Sequence, residues 1–195
     1  QGLAFDVAVH IGTLLALLAY FRRQLGTMAV AWIDSVFRRQ HTRDSRLAWQ
    51  ILVATVPVGL AGLLFADFIE ANFRNPLFVA GTLTVFGILM YLADRLGRGT
   101  KDEFSLSWPQ ALAIGCAQAL ALMPGTSRSG ITMTAGRALG LSRSGAARFS
   151  FLLAIPGIGA AGAYEGLKLF TSPDPVAWQP MVVGVVFAAL SGIAC

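Results

Sequence analysis

Between Trp108 and Gly140 the chain reads WPQALAIGCAQALALMPGTSRSGITMTAGRALG, an apolar segment broken at its middle by a Gly/Ser/Thr-rich turn that holds one arginine. Trp108–Met123 has 16 residues, about 24 Å of helix at roughly 1.5 Å per residue. That is short for a hydrocarbon layer of about 30 Å. After Pro124–Ser129 only 11 more residues, Gly130–Gly140, follow. Two half-length helices around a polar turn describe a re-entrant helix–turn–helix hairpin over residues 108–140. Irregular backbone of this kind persists at membrane depth only when buried in protein or lining a wet cavity.

The flanking sequence agrees with a membrane setting. Hydrophobic residues make up 55% of the 195, charged residues 13%, and the mean hydropathy is +0.65. A soluble domain carries about 25% charged residues. Apolar stretches of roughly 20 residues recur, the length of a spanning helix, and the short alternating segments of a transmembrane barrel are absent from the sequence. The fold class expected is all-α: a polytopic helical membrane protein forming a single, partial transmembrane domain over residues 1–195. Spans are expected at Gly2–Phe21, Leu47–Phe65 (kinked at Pro57), Pro76–Leu96 and Ala146–Leu169, with another from Met181. Trp32–Phe37 reads as a short interfacial helix, Asp67–Arg74 and Thr171–Gln179 as outer loops, and Gly97–Ser107 as an inner loop. Gly136/Gly140 and Gly162/Gly166 are GxxxG pairs, read as helix-packing positions. The absence of an initiator Met and the short final apolar run lead to the expectation of a fragment.

The net charge of +5 reads as topology. Six arginines lie in Arg22–Arg46, three basic residues in Arg95–Lys101 and three in Arg137–Arg148, while Arg74 and Lys168 belong to the opposite loops. The positive-inside rule places the three clusters in the cytoplasm, and no nucleic-acid partner is expected. The hairpin keeps this parity, because a return to its own side leaves Arg143 and Arg148 inside. Cys116 and Cys195 have no motif spacing, so neither a disulfide nor a metal site is read from them.

The turn itself carries chemistry. An arginine at membrane depth is expensive and marks a functional site by default. Pro124 ends the first half-helix, Gly125 permits an unusual backbone angle, and Gly130 is expected to open the second. A helix N-terminus carries roughly half a positive charge and favours an anion. Arg128 can add a two-point contact to phosphate oxygens. Thr126, Ser127, Ser129 and Thr132 add hydroxyls, completing a cradle suited to the charge that builds in phosphoryl transfer. Arg128 and Ser127 are the catalytic candidates, and Gly125, Thr126, Ser129 and Thr132 the phosphate-binding ones. The opposing reading is a Ser/Gly turn whose arginine snorkels or pairs with a carboxylate.

Three further polar residues are candidates to orient the site. Asp6 and His10 are four apart on one helix face and read either as a proton relay or as a polar pair near a span's end, with spacing favouring the second. Gln118 stands in an otherwise apolar half-helix and could face the turn or a neighbouring helix. Glu165 and Lys168 sit near the end of their span and are expected to reach the interface.

At these residues the chain resembles a known family. QALALMPGTSRSGIT (Gln118–Thr132) is similar to the PGxSRSxxT signature of undecaprenyl-diphosphate phosphatases, the bacitracin-resistance family of bacterial membrane enzymes. AFDVAVHIGTLLALLAYFRR at Ala4–Arg23 and ALGLSRSGAARFSFLLAIP at Ala138–Pro156 extend the likeness through the chain in order. The resemblance implies a multi-pass protein of the bacterial inner membrane with two re-entrant hairpins from inverted repeats. It implies removal of the terminal phosphate of undecaprenyl diphosphate, renewing the carrier used in peptidoglycan synthesis. Ser127, Arg128, Ser129 and Thr132 become the phosphate-handling residues, with Gly125 shaping the turn. The partners implied are a polyprenyl diphosphate and the bilayer, and a homodimer stays open.

One departure is expected to matter. The family's second signature, an N-terminal hairpin with glutamates, a Ser-Ser-Thr turn and a histidine, has no match in this chain. The divalent metal (Mg²⁺ or Ca²⁺) is expected on those carboxylates, with no metal ligands in these 195 residues, and the chain made alone is expected to be inactive. His10 is not that histidine, since it lies in the later FDVAVHIG segment. The rival from another class is a transporter or flippase that binds a lipid phosphate without hydrolysing it, using half-helices near the midplane.

Overall fold

Pro76 behind Asn75 and Gly97 behind Leu96 mark out one helix by punctuation alone, and the computed structural model places α3 at those bounds, Pro76–Leu96. The Asn75 side chain caps the Leu77 N–H at 2.9 Å, and Pro76 sits at the first helical position, where its missing N–H costs nothing. The structure describes residues 2–73, 75–171 and 178–194; the side chains of 2–4, 6, 7, 66, 67, 70, 164–171 and 178 also lie outside the description. The readings of Asp6, Arg74, Glu165, Gly166, Lys168 and the loop at 172–177 therefore fall outside it, in side chain or entirely.

The other helices are α1 (Gly2–Phe37), α2 (Arg43–Asn72), α4 (Trp108–Ala119), α5 (Arg128–Ala138), α6 (Arg143–Thr171) and α7 (Trp178–Ala194). Among the described residues there is no strand, and the all-α class holds. Arg43–Phe65, Pro76–Leu96 and Arg143–Ala163 are long and apolar enough to cross a membrane.

Two expectations about helix ends are corrected. The first span and the interfacial helix are one element, α1, 36 residues long. Arg22 and Arg23 mark a polar change, not a backbone break, and the sequence between Phe21 and Trp32 has only Gly26 to weaken a helix. The residues from Asp67 likewise continue α2 as far as Asn72, with Phe73 closing the helix through Ile69 O.

The chain forms two compact units. One comprises residues 1–27 and 154–195, the other Met28–Leu153. In the first, a Cβ on Gly12 would overlap Val185 O and one on Gly192 would lie 2.7 Å from Ala16 Cβ, so α1 and α7 touch through small residues. Gly162 of α6 faces Ile11 of α1.

In the second unit α4 lies against α2, and α5 against both α3 and α4. Gly115 permits the first of these contacts, since a Cβ there would be 2.7 Å from Ala54 Cα. Leu47, Ile51 and Ala54 of α2 and Ala111 and Ile114 of α4 are buried, as are Phe149, Leu152 and Leu153. The outer faces of α2 and α3 stay apolar and open, as at Leu63, Leu77, Leu83 and Ile88.

The hairpin's two ends are tied together. Lys101 N–H donates to Gly140 O at 3.3 Å and Ser142 N–H to Lys101 O at 2.8 Å, an isolated parallel bridge. The segment therefore leaves from and returns to one place. Gly140 is not a packing glycine: with φ of 94° it ends α5, and Leu141 N–H reaches back to Gly136 O in a Schellman arrangement. Arg137, buried, donates to Leu141 O at 2.7 Å and to Gly97 O, and lies 3.5 Å from Asp94. Arg143 grips Asp94 with two bonds of 2.7 and 2.8 Å. Arg148 meets the buried Glu103 at 3.5 Å.

Candidate functional site

The turn is built by stopping one helix and capping the next. α4 ends at Ala119, and a single 3-10 turn at Leu120–Leu122 tightens its last carbonyls before Met123 turns extended. Pro124 offers no N–H, so the path breaks there. Gly125 then adopts φ of 89°, a region closed to most side chains. Its Cα faces α3 so closely that a Cβ would overlap Thr82 Oγ1 and lie 2.5 Å from Val79 O. Thr82 Oγ–H donates to Pro124 O at 2.6 Å, and Thr126 N–H to Met123 O at 3.1 Å.

Ser127 is the N-cap of α5. Its Oγ accepts from Gly130 N–H at 3.2 Å, and its C=O from Ile131 N–H at 2.9 Å. The second half-helix thus opens at Arg128, two residues earlier than expected. Gly130 is the third helical residue, whose amide the serine captures. Arg128 and Ser129 occupy the first turn of α5, where amides lack intrahelical acceptors and the dipole is positive. Arg128 is half-buried; Ser127 is exposed, and its Oγ lies 3.4 Å from Ser129 Oγ. No Asp or Glu occurs from Met123 to Thr132.

Thr132 faces inward. It is buried, its Oγ1 lies within 3.1 Å of both Arg128 O and Ser129 O, and it shares a 2.6 Å bond with Ser150 of α6. That hydroxyl is engaged within the protein. Two other buried groups are not: Thr126 Oγ1 and Gln118 Nε2 have no partner among the described residues. A buried polar atom left alone costs about 1–3 kcal/mol. Gly125, Thr126, Ser127, Arg128 and Ser129 therefore come together as one constellation, with Thr132 beneath. His10 lies exposed in the other unit.

Sequence reasoning missed Thr82 and Ser150, which hold the turn and the first turn of α5 from α3 and α6. No local signal marks either one. It also read Arg137, Arg143 and Arg148 as topology alone, whereas each meets a carboxylate.

A divalent cation does not fit this donor set. Hard cations take oxygen ligands, carboxylates above all, and the turn presents hydroxyls, amides and a guanidinium. Among the described residues no group of three or more His, Cys, Asp and Glu is placed to hold a metal. Asp94 and Glu103 of this unit are engaged by arginines at the hairpin's base.

The family described as "Bacitracin resistance protein BacA" matches residues 1–195. A protein of Stutzerimonas stutzeri named undecaprenyl-diphosphatase 2 is 54% identical over 198 residues, covering 100% of this chain and 73% of its own length. Undecaprenyl-diphosphatases of Colwellia psychrerythraea and Nitrosococcus oceani are 53% and 49% identical, each aligned over 100% of this chain and 74% of their own.

Proposed function

The chain belongs to the bacitracin resistance protein BacA family, and we propose from that membership and from the turn's donors that it hydrolyses undecaprenyl diphosphate to undecaprenyl phosphate and phosphate. The product is the lipid carrier of peptidoglycan synthesis, and its renewal underlies bacitracin resistance. The observation that carries the reading is the Ser127-capped N-terminus of α5 with Arg128 as its first residue, in a turn free of acids. Such a site receives a doubly charged phosphate and repels a cation.

Each residue has a definite task in this reading. Arg128 clamps two terminal phosphate oxygens, an arrangement whose worth grows as charge builds in the transition state. Ser127 Oγ accepts from Gly130 N–H, which leaves its own proton for a phosphate oxygen. Ser129, close beside it, and Thr126, buried and unpartnered, add donors. Thr132 anchors the first turn of α5 through Ser150. The Mg²⁺ or Ca²⁺ that the resemblance implies would be held by carboxylates, which the turn itself lacks. The hairpin is re-entrant from the cytoplasmic side of the inner membrane, because its joined ends share the basic, positive-inside face.

Phosphate release from undecaprenyl diphosphate by the purified complete protein, in detergent with added Mg²⁺ or Ca²⁺, tests the proposal. Turnover by the complete protein and none by residues 1–195 alone is the expected result. Binding of the lipid without release would instead assign the turn to a carrier or flippase.

A further inference from the structure

α3 is an outward-facing apolar helix with one exception. Thr82 is its single buried residue among those described, on a helix that exposes Leu77, Leu83, Val85 and Ile88. Its hydroxyl has three acceptors in range: Pro124 O at 2.6 Å, Val79 O at 3.0 Å and Phe78 O at 3.1 Å. A hydroxyl has one proton to give. The two helical carbonyls are served by the α-helical amide ladder, whereas Pro124 O belongs to an irregular turn outside any such ladder and makes the shortest of the three contacts. The adjoining Gly125 packs so tightly on Val79 O and Thr82 Oγ1 that the turn has a single seat. Ser127 and Arg128 follow Pro124 by three and four residues.

We propose that Thr82 is a positioning residue for the reaction: by holding Pro124 O it fixes the height at which α5 begins, and hence where Ser127 and Arg128 meet the phosphate. The assignment rests on the phosphate-handling reading of the turn. A misplacement of about 1 Å at a reacting group costs on the order of a hundredfold in rate, so even a partial loosening is measurable.

The test compares kcat and KM for phosphate release from undecaprenyl diphosphate by the complete protein and its Thr82→Val and Thr82→Ser variants, with Arg128→Lys as the reference for the site itself. Valine keeps shape and burial but lacks the donor; kcat falls about tenfold while KM stays within about twofold, the scale of one lost hydrogen bond. Serine keeps the donor and restores kcat to within about threefold of the parent. Parental kcat in Thr82→Val beside an impaired Arg128→Lys overturns the proposal. So does a serine variant as poor as valine, which would mean that the methyl group, not the hydroxyl, matters. Normal turnover in Arg128→Lys removes the phosphate reading and this assignment with it. If Thr82→Val does not fold, Thr82→Cys, a weak donor of similar size, takes its place with the same expected losses.

Discussion

Replacing Gly125 with alanine perturbs the turn at its tightest point. The backbone there has φ of 89°, which costs an L-residue with a Cβ about 1–2 kcal/mol. The added carbon would also overlap Thr82 Oγ1 and stand 2.5 Å from Val79 O. A side-chain hydroxyl can rotate away, but the carbonyl belongs to α3 and cannot, so the turn itself must lift. Lifting breaks the 2.6 Å Thr82–Pro124 bond, a further loss of about 1 kcal/mol. The two terms together place about 2–3 kcal/mol of strain on the segment leading into Ser127 and Arg128. Displacement of the clamp by about 1 Å then lowers kcat on the order of a hundredfold, with the fold intact. Phosphate release from undecaprenyl diphosphate, measured beside the thermal unfolding of the same detergent-solubilised sample, separates the two effects. A folded Gly125→Ala protein with kcat within about threefold of the parent would refute the argument that this seat sets the site's geometry.

Two further outcomes follow from the hairpin's base. Arg137→Met should lower stability by about 2–4 kcal/mol in thermal unfolding, because the buried guanidinium donates to Leu141 O, Gly97 O and Asp94 O; an unchanged midpoint would show that those carbonyls find other partners. A single cysteine at position 143, in a complete protein with Cys116 and Cys195 replaced, should react with a membrane-impermeant maleimide only in inside-out vesicles, and labelling in intact cells would remove the re-entrant assignment.

What the sequence revealed depended on how local the physics was. α3 was legible to the residue because Asn75-Pro76 and Gly97 punctuate it. The hairpin was legible because neither half is long enough to cross, and its joined ends at Lys101 and Gly140–Ser142 are the structural counterpart. Helix continuity was less legible: charge at Arg22–Arg23 and Asp67 reads as an interface, yet backbone propagation needs only the absence of breakers, so α1 and α2 run on. Ser127 is an ordinary N-cap serine, and applying that rule would have set the start of α5 at Arg128 instead of Gly130. Thr82, 42 residues from its partner Pro124, and Ser150, 18 from Thr132, could not be found from pattern, because a threonine in a span and a serine in a helix are each unremarkable until the fold supplies the contact.

In the proposed function Arg128 holds the terminal phosphate by a planar two-point contact, and steady-state phosphate release by Arg128→Lys in the complete protein measures what that contact contributes. Lysine keeps the charge but is a point donor. The expected result is a loss of about 2–4 kcal/mol in transition-state stabilisation, roughly 30- to 1000-fold in kcat/KM, in a protein that unfolds at the parental temperature. Near-parental turnover by that folded variant would contradict it and reduce Arg128 to a structural charge.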